Sequence, residues 1–238
     1  IASGKADPGE TVRVDAADGG FLAWGACSPG SQIRVRAWSF EQAERIDAAF
    51  FARRVERAVA MRGRLAIASD ALRLVHGEAD GLPGLVVDRY GDTLCAQFLA
   101  AGVERWKPAI ADALLAATGC TRLYERSDAS VRELEGLPPL RGWLRKPNED
   151  GGATELTIRE HGWQLQVDVT EGQKTGYYLD QRDNRLRFMQ LVRQLGCRRV
   201  LNAYSYTGGF SVAALAGGAD EVLSVDSSAP ALARAEAH

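Results

Sequence analysis

The sequence predicts a multi-domain protein of β and α/β class: a small β-module, an α+β central module, and the start of a doubly wound, Rossmann-like parallel domain truncated at its C-terminal end. Three observations predict it. Apolar and polar residues alternate between turn signals over residues 10–38, as in short half-buried strands. Residues 72–126 set strands around a single helical stretch, and residues 199–238 run β-α-β-α, the order that builds a parallel sheet. A length of 238 residues suits two to three modules, since domains run on the order of 100 to 200 residues.

In the first module, Glu10 to Asp15 turns at Asp18-Gly19-Gly20 into Phe21 to Ala26, and a Ser-Pro-Gly turn leads to Ile33 to Trp38. From Phe40 to Ile67 the pattern becomes helical: Phe50, Phe51, Val55 and Val59 recur among Arg45, Arg53, Arg54, Arg57, Arg62 and Arg64, predicting a long basic amphipathic helix. Strands follow at Leu72 to His76, Leu85 to Asp88 and Leu94 to Leu99, then a helix from Glu104 to Thr118 and a strand at Arg122 to Arg126. Residues 136–153, with three prolines and Asp150-Gly151-Gly152, have the composition of a linker or hairpin arm, so a boundary falls there.

Beyond it, Leu156, Ile158, Leu165, Val167 and Val169 alternate about His161-Gly162, predicting a hairpin. A helix spans Gln181 to Leu195. Arg199 to Ala203 and Glu221 to Val225 are strands, separated by a helix over Phe210 to Ala216 that ends in Gly217-Gly218, and another helix starts at Ala229. Two parallel strands cannot bury both of their faces, so the domain is expected to continue past residue 238.

Lys and Arg number 29 against 31 Asp and Glu, a net charge of -2, so no global basic field advertises a nucleic-acid partner. No apolar run approaches the roughly 18 residues a membrane span needs. Cys27, Cys95, Cys120 and Cys197 show no C-x-x-C spacing, which argues against a zinc site or a disulfide framework and for a reducing compartment, the cytoplasm, and no metal ligands are assigned. The chain opens on Ile1 without a charged segment and apolar run, so no secretory signal is expected, and its start inside a larger gene product is.

The densest chemical signal is Leu201 to Phe210, a strand entering a Gly208-Gly209 turn that opens a helix, with Asp226 closing the next strand. Glycines admit a ligand close to the backbone, and a carboxylate about 20 residues on can accept both ribose hydroxyls. An adenosine-containing cofactor fits. Without G-x-G-x-x-G a dinucleotide is disfavoured, which leaves S-adenosylmethionine. The competing reading has the glycines shape a tight turn and Asp226 cap the helix holding Pro230.

Gly172 to Arg185 packs polar, aromatic and glycine residues into a strand-to-helix junction, a density expensive to bury without a ligand. Lys174 and Thr175 would donate to a carboxylate, Tyr178 would stack, and Gln181 would bond the ligand's amino end. The alternative is a solvated helix start in which Asp180 favours the helix dipole and Arg185 pairs with it.

Residues 172–185, the run Asn202 to Phe210 and Val225-Asp226 resemble the RlmI-type family of class I S-adenosylmethionine-dependent ribosomal RNA large-subunit methyltransferases with an N-terminal PUA domain. Gly9-Glu10 to Trp38, with Leu22-Ala23-Trp24-Gly25, is similar to most of that PUA module, less its first strand. Gly77 to Leu85 and Glu125-Arg126-Ser127-Asp128 resemble the family's central domain. The resemblance implies a PUA domain at 1–40, a central α+β domain at 41–140, a linker at 141–153, and the N-terminal part of the methyltransferase domain at 154–238. It implies methyl transfer to a base of 23S rRNA, at cytosine C5. Asp226 would hold the ribose; Tyr204, Ser205, Thr207, Gly208 and Gly209 would shape the pocket floor; Lys174, Thr175, Tyr178 and Gln181 would close its methionine side.

In that family the cysteine nucleophile and a base-positioning D-P-P segment lie downstream of the stretch matching Asp226, so no catalytic residue is assigned within these 238 residues. Arg34 and Arg36 on the last PUA strand and Arg53 and Arg57 on the basic helix are the candidate RNA contacts. On spacing alone, a solvated helix face paired with Glu41, Glu44, Asp47 and Glu56 is the preferred reading of that helix. The partner implied is 23S rRNA, naked or partly assembled, because a base in naked RNA is cheaper to flip out. The family's dimers allow a homodimer, which no residue here demands. Rival functions are guanine-nitrogen methylation by a related family, a non-catalytic RNA-binding protein keeping the fold, and a nucleotide-dependent oxidoreductase.

Overall fold

The computed structural model describes residues 5–146, 148 and 152–238. The chain divides into two compact units, Ile1–Ile67 with Leu72–Ala153, and Ala68–Ala71 with Thr154–His238. No described helix is long and apolar enough to cross a membrane.

The first unit opens with strands β1 (Thr11–Asp15), β2 (Phe21–Cys27) and β3 (Val35–Ser39), paired antiparallel in that order. Helix α1 (Ala48–Gly63) is shorter than the Phe40 to Ile67 span read from the sequence. Asp47 stops it from starting earlier: its side chain accepts the Phe50 N–H at 3.0 Å, capping the first turn. Phe50, Phe51, Val55 and Ala58 form the buried stripe of α1, and Glu44 pairs with Arg53 at 3.3 Å and Arg54 at 3.5 Å.

The second sheet of this unit runs β4 (Ala71–His76), β5 (Leu85–Tyr90), β6 (Thr93–Phe98), β7 (Arg122–Ser127), β8 (Leu140–Arg145) in sequence order. β6 and β7 are parallel, joined by α2 (Ala101–Arg105) and α3 (Lys107–Thr118). The sequence reads these as one helix; Pro108 offers no N–H to the Glu104 carbonyl, so the helix breaks at Trp106 and restarts. β8 corrects the linker reading over residues 140–145, where Trp143 packs edge-on against Tyr124 at 5.0 Å. Residues 147 and 149–151 of that linker lie outside the described residues.

Ala26 and Trp38 of the β-module share one core with Phe50 and Phe51 of α1, Val87 and Leu94 of the sheet, and Leu114 of α3. Gly102 makes the joint: a Cβ there would lie 2.6 Å from the Trp38 ring. Glu135, at the end of a 3-10 turn over Ser130–Glu135, is buried and accepts from Ser28 Oγ at 2.7 Å, Arg36 at 3.1 Å and the Ala101 N–H at 3.2 Å. Burial pushes its carboxyl up, but the bonds from Ser28, Ala101, Ser31 and Arg36 together outweigh that and hold it below its ordinary value.

In the second unit, β9 (Glu155–Glu160) and β10 (Trp163–Asp168) form the expected hairpin. His161 and Gly162 both take positive φ, 52° and 88°, the two-residue turn that matches strand twist. Helix α4 (Arg182–Leu195), strand β11 (Arg199–Ala203), helix α5 (Gly209–Ala216), strand β12 (Glu221–Val225) and helix α6 (Ala229–Glu236) follow. β11 and β12 pair in parallel, Arg199 opposite Glu221 through Ala203 opposite Val225. One face of this pair, with Val200 and Val222, packs on Val192 and Ala214 of α4 and α5. The other carries Leu201 and Leu223, 66% and 60% exposed.

Candidate functional site

A parallel strand pair presents its carboxyl ends at one edge, and the loops leaving that edge build the site. After β11 the backbone runs through Tyr204, Tyr206 and Gly208 at φ of 59°, 49° and 74°, three left-handed residues in five positions. Left-handed tyrosines are strained, a cost found where surrounding structure dictates it. The Ser205 N–H donates to the Val225 carbonyl at 3.0 Å and the Tyr206 N–H to Asp226 Oδ2 at 2.7 Å, so the two strand ends lock together.

These loops and the segment before α4 enclose a cavity of about 530 Å³, lined among others by Tyr178, Gln181, Tyr204, Ser205, Gly209 and Asp226. The structure thus brings together six of the ten residues singled out as cofactor contacts. Asp226 accepts a second backbone bond, from the Ser228 N–H at 2.9 Å. That bond and the one from Tyr206 hold its carboxyl below the ordinary carboxylate range. The cap of α6 is Ser228, whose Oγ accepts the Ala231 N–H at 3.3 Å, and this corrects the reading of Asp226 as that cap.

Tyr204 is 94% exposed at the cavity rim. Ser205 is buried, and its hydroxyl has no hydrogen-bond partner among the described residues. Tyr178 packs edge-on against Tyr206 at 5.4 Å and donates to Gln173. Gln181 accepts from Asn184 at 2.9 Å.

The other four named residues stand off the lining. Lys174, in a left-handed conformation, reaches Asp180 at 2.9 Å and lies 4.5 Å from the Tyr178 ring centroid. Thr175 and Thr207 are buried. Gly208 takes φ of 74°, and a Cβ there would sit 2.8 Å from Ala235 Cβ, so helix packing as well as turn geometry demands the glycine. Gly209 has a different reason: a Cβ would overlap the Tyr177 hydroxyl.

Gln173, Tyr177, Asp180, Arg185, Tyr206, Phe210 and Ser227 also line the cavity. All but Ser227 lie inside the two runs that the sequence marks as dense, yet which side chains turn inward depends on the loop conformations. Arg185 does not pair with Asp180 as the solvated-helix reading has it; it is buried on Glu160 of β9, at 2.6 and 2.7 Å. Nothing in the hairpin pattern singles out Glu160.

The candidate RNA contacts are mixed. Arg36 is engaged by Glu78 and Glu135, Arg53 by Glu44, and Arg34 donates to the Pro29 carbonyl, while Arg57 is exposed on α1. The four cysteines are free thiols; Cys27, Cys95 and Cys120 are buried, and burial pushes the Cys95 thiol far up.

Residues 148–238 match the S-adenosylmethionine-dependent methyltransferase family, and residues 2–40 match the PUA-like domain family. The chain is 47% identical over 231 residues to ribosomal RNA large subunit methyltransferase I of Cronobacter sakazakii and 48% identical over 231 residues to that of Erwinia tasmaniensis. Each alignment covers 96% of this chain and 57% of the relative, so the chain spans little more than half the length of these relatives. The fold is shared with a SAM-dependent methyltransferase from Streptococcus mutans, at 23% identity and a TM-score of 0.79, covering 99% of this chain and 59% of that one. A methyltransferase complexed with SAH, 24% identical, also matches with a TM-score of 0.79 over 97% of this chain and 57% of its own.

Proposed function

We propose that the chain, 47% identical to a ribosomal RNA large subunit methyltransferase I over 96% of its length, is a member of that family, that it binds S-adenosylmethionine in the cavity at the ends of β11 and β12, and that it methylates a base of 23S rRNA, at cytosine C5. The observation that carries this reading is the position of Asp226: a carboxylate fixed by backbone donors that include Tyr206 and Ser228, on the wall of a cavity at the carboxyl ends of two parallel strands.

The donor set suits the cofactor. The Asp226 oxygens keep lone-pair capacity beyond their backbone bonds, enough to accept ribose hydroxyls. The buried Ser205 hydroxyl on the cavity wall, without a hydrogen-bond partner among the described residues, is a polar group that a polar ligand would satisfy. Tyr204 and Tyr178 offer ring faces, and Gln181 a side-chain amide for the amino acid end. Thr175, Thr207, Gly208 and Lys174 act from behind the lining, by holding the loops in shape. When bound, the cofactor supplies an electrophilic methyl group on a sulfonium.

Cytosine C5 becomes nucleophilic only once a thiolate has added to C6. Cys27, Cys95 and Cys120 are buried, and Cys197 packs on the Val192 and Ala214 core, so the reading places the nucleophile outside these 238 residues. The PUA-like module docks the RNA through Arg34 and Arg36, joined by Arg53 and Arg57 on the basic helix α1 that leads the central domain, and module boundaries fall near 40 and 154. Free thiols and an rRNA substrate put the protein in the cytoplasm, and the family resemblance extends the reading to a homodimer.

The test is to incubate the intact gene product with methyl-labelled S-adenosylmethionine and naked 23S rRNA, digest the RNA and identify the labelled nucleoside. Label in 5-methylcytidine is the expected result. Label in a methylguanosine keeps the enzyme and overturns the target atom; RNA binding with no label and no S-adenosylhomocysteine binding leaves a non-catalytic RNA-binding protein.

A further inference from the structure

Glu160 and Arg185 are the most deeply buried ion pair of the second unit, their side chains 0% and 2% exposed. The bond is a fork: Arg185 Nε donates to one carboxylate oxygen at 2.6 Å and Nη2 to the other at 2.7 Å. The remaining nitrogen, Nη1, donates to the Tyr178 carbonyl at 3.1 Å. The guanidinium carbon also lies 4.6 Å from the centroid of the Tyr177 ring, whose hydroxyl fills the space that a Cβ on Gly209 would take. One side chain therefore touches the hairpin, the segment before α4, and the packing at the first turn of α5.

A buried pair of this kind is weak evidence of stability, because desolvating two charges offsets their attraction, and apolar residues of similar volume often do as well. Nor is Arg185 free to neutralise a ligand. Its charge is matched by Glu160, and each of its three nitrogens has a protein acceptor. What it does is hold the Tyr178 carbonyl, which also accepts from the Gln181 N–H at 3.2 Å, and pack on the ring of Tyr177, two residues of the cavity wall.

We infer that Arg185, oriented by Glu160, is the positioning residue of this cavity, holding the Tyr177-Tyr178 wall in the shape that receives S-adenosylmethionine. The inference rests on the reading that this cavity is the cofactor site. Lysine cannot replace it, since one ammonium cannot fork onto both Glu160 oxygens and also reach the Tyr178 carbonyl. The wall is held from its other side by Tyr206, whose hydroxyl accepts from the Gln173 N–H at 2.9 Å and donates to the Gly176 carbonyl at 3.3 Å. Loss of Arg185 therefore loosens one edge of the segment and leaves the other tethered.

The experiment measures S-adenosylhomocysteine binding by calorimetry for the full chain and for Arg185→Lys, Glu160→Gln, the double variant Glu160→Met with Arg185→Met, and Val192→Ala. Val192 lies in the α4 and α5 core, so its truncation lowers stability without touching the wall. The single variants at the pair are expected to lose roughly tenfold or more in affinity, as a charge-assisted bond to a buried group is lost. The double apolar variant regains the melting temperature but not the affinity, and Val192→Ala loses melting temperature while its affinity stays within about twofold. Wild-type affinity in a folded Arg185→Lys chain, or a double variant that regains both properties, overturns the inference.

A second readout needs no ligand: amide exchange of Leu179 and Gln181, which donate to the Tyr177 and Tyr178 carbonyls, is expected to quicken in Arg185→Lys, while that of Gln173, tethered by Tyr206, and of β11 does not. Unchanged exchange overturns the positioning role. A wild-type chain that binds no S-adenosylhomocysteine, with the exchange effect present, overturns the cofactor reading instead.

Discussion

Tyr206 and Asp226 are joined through a single backbone bond of 2.7 Å, and this bond sets the carboxylate at the mouth of the β11 and β12 pair. Together with the Ser228 N–H it holds the acid below its ordinary range, so Asp226 is an anion at every pH above that range. Asp226→Asn keeps one acceptor oxygen and loses the charge, and is expected to weaken S-adenosylhomocysteine binding by about tenfold or more, by calorimetry. For the wild type, the contribution of Asp226 to affinity should be flat from neutral to alkaline pH and fall only as the solution is acidified below the usual value, near 3.9. An Asp226→Asn chain that binds as tightly as wild type removes the residue from the site.

The adjacent glycines separate stability from binding. At Gly208 a methyl group meets Ala235 across helix α6, and the backbone is left-handed, so Gly208→Ala should cost about 1–3 kcal/mol, read as a lower melting temperature of the second unit. At Gly209 the methyl group displaces the Tyr177 hydroxyl, so Gly209→Ala should reduce ligand affinity more than stability. The same two readouts in the opposite order would show that the assignments are reversed.

Glu135 ties the β-module to the central sheet in a pH-dependent way. Its folded value is depressed, so the stability it contributes is complete above the ordinary glutamate range near 4.3 and is lost as pH falls through the lowered value. Glu135→Gln, which cannot serve Ser28, Arg36 and the Ala101 N–H equally, should cost about 1–3 kcal/mol at neutral pH. In denaturant unfolding of the first unit the gap between variant and wild type should close below that range; a constant gap down to pH 3 would mean the charge is irrelevant.

Among the arginines proposed to meet RNA, exposure ranks them. Arg57 is exposed on α1, whereas Arg36 is already bound to Glu135 and Glu78. Arg57→Ala is expected to reduce the slope of log affinity for 23S rRNA fragments against log salt by roughly 0.7–0.9, the loss of one phosphate contact. Arg36→Ala should act chiefly through stability. Filter-binding titrations between low and physiological salt check this, and an unchanged slope for Arg57→Ala would remove α1 from the interface.

The parts of this protein that were legible in the sequence are those decided locally. Alternation and turn chemistry marked β1 to β3 and the His161-Gly162 hairpin, and the β-α-β-α order with its Gly-Gly turn located the strand ends and Asp226. Each of these signals lies within a few residues of the feature it predicts, because backbone preference and side-chain period are short-range properties. What the tertiary structure decided involves partners far apart in the chain: Arg185 with Glu160 across 25 positions, Ser28 with Glu135 across 107, and β8 joining a sheet where composition suggested a linker. A period tells which residues share a face, but a charge, once buried, takes whichever partner the fold brings to it. That is why Asp180 looked the natural mate of Arg185 in the sequence, and why only the fold, which brings the end of β9 to the first turn of α4, made it Glu160.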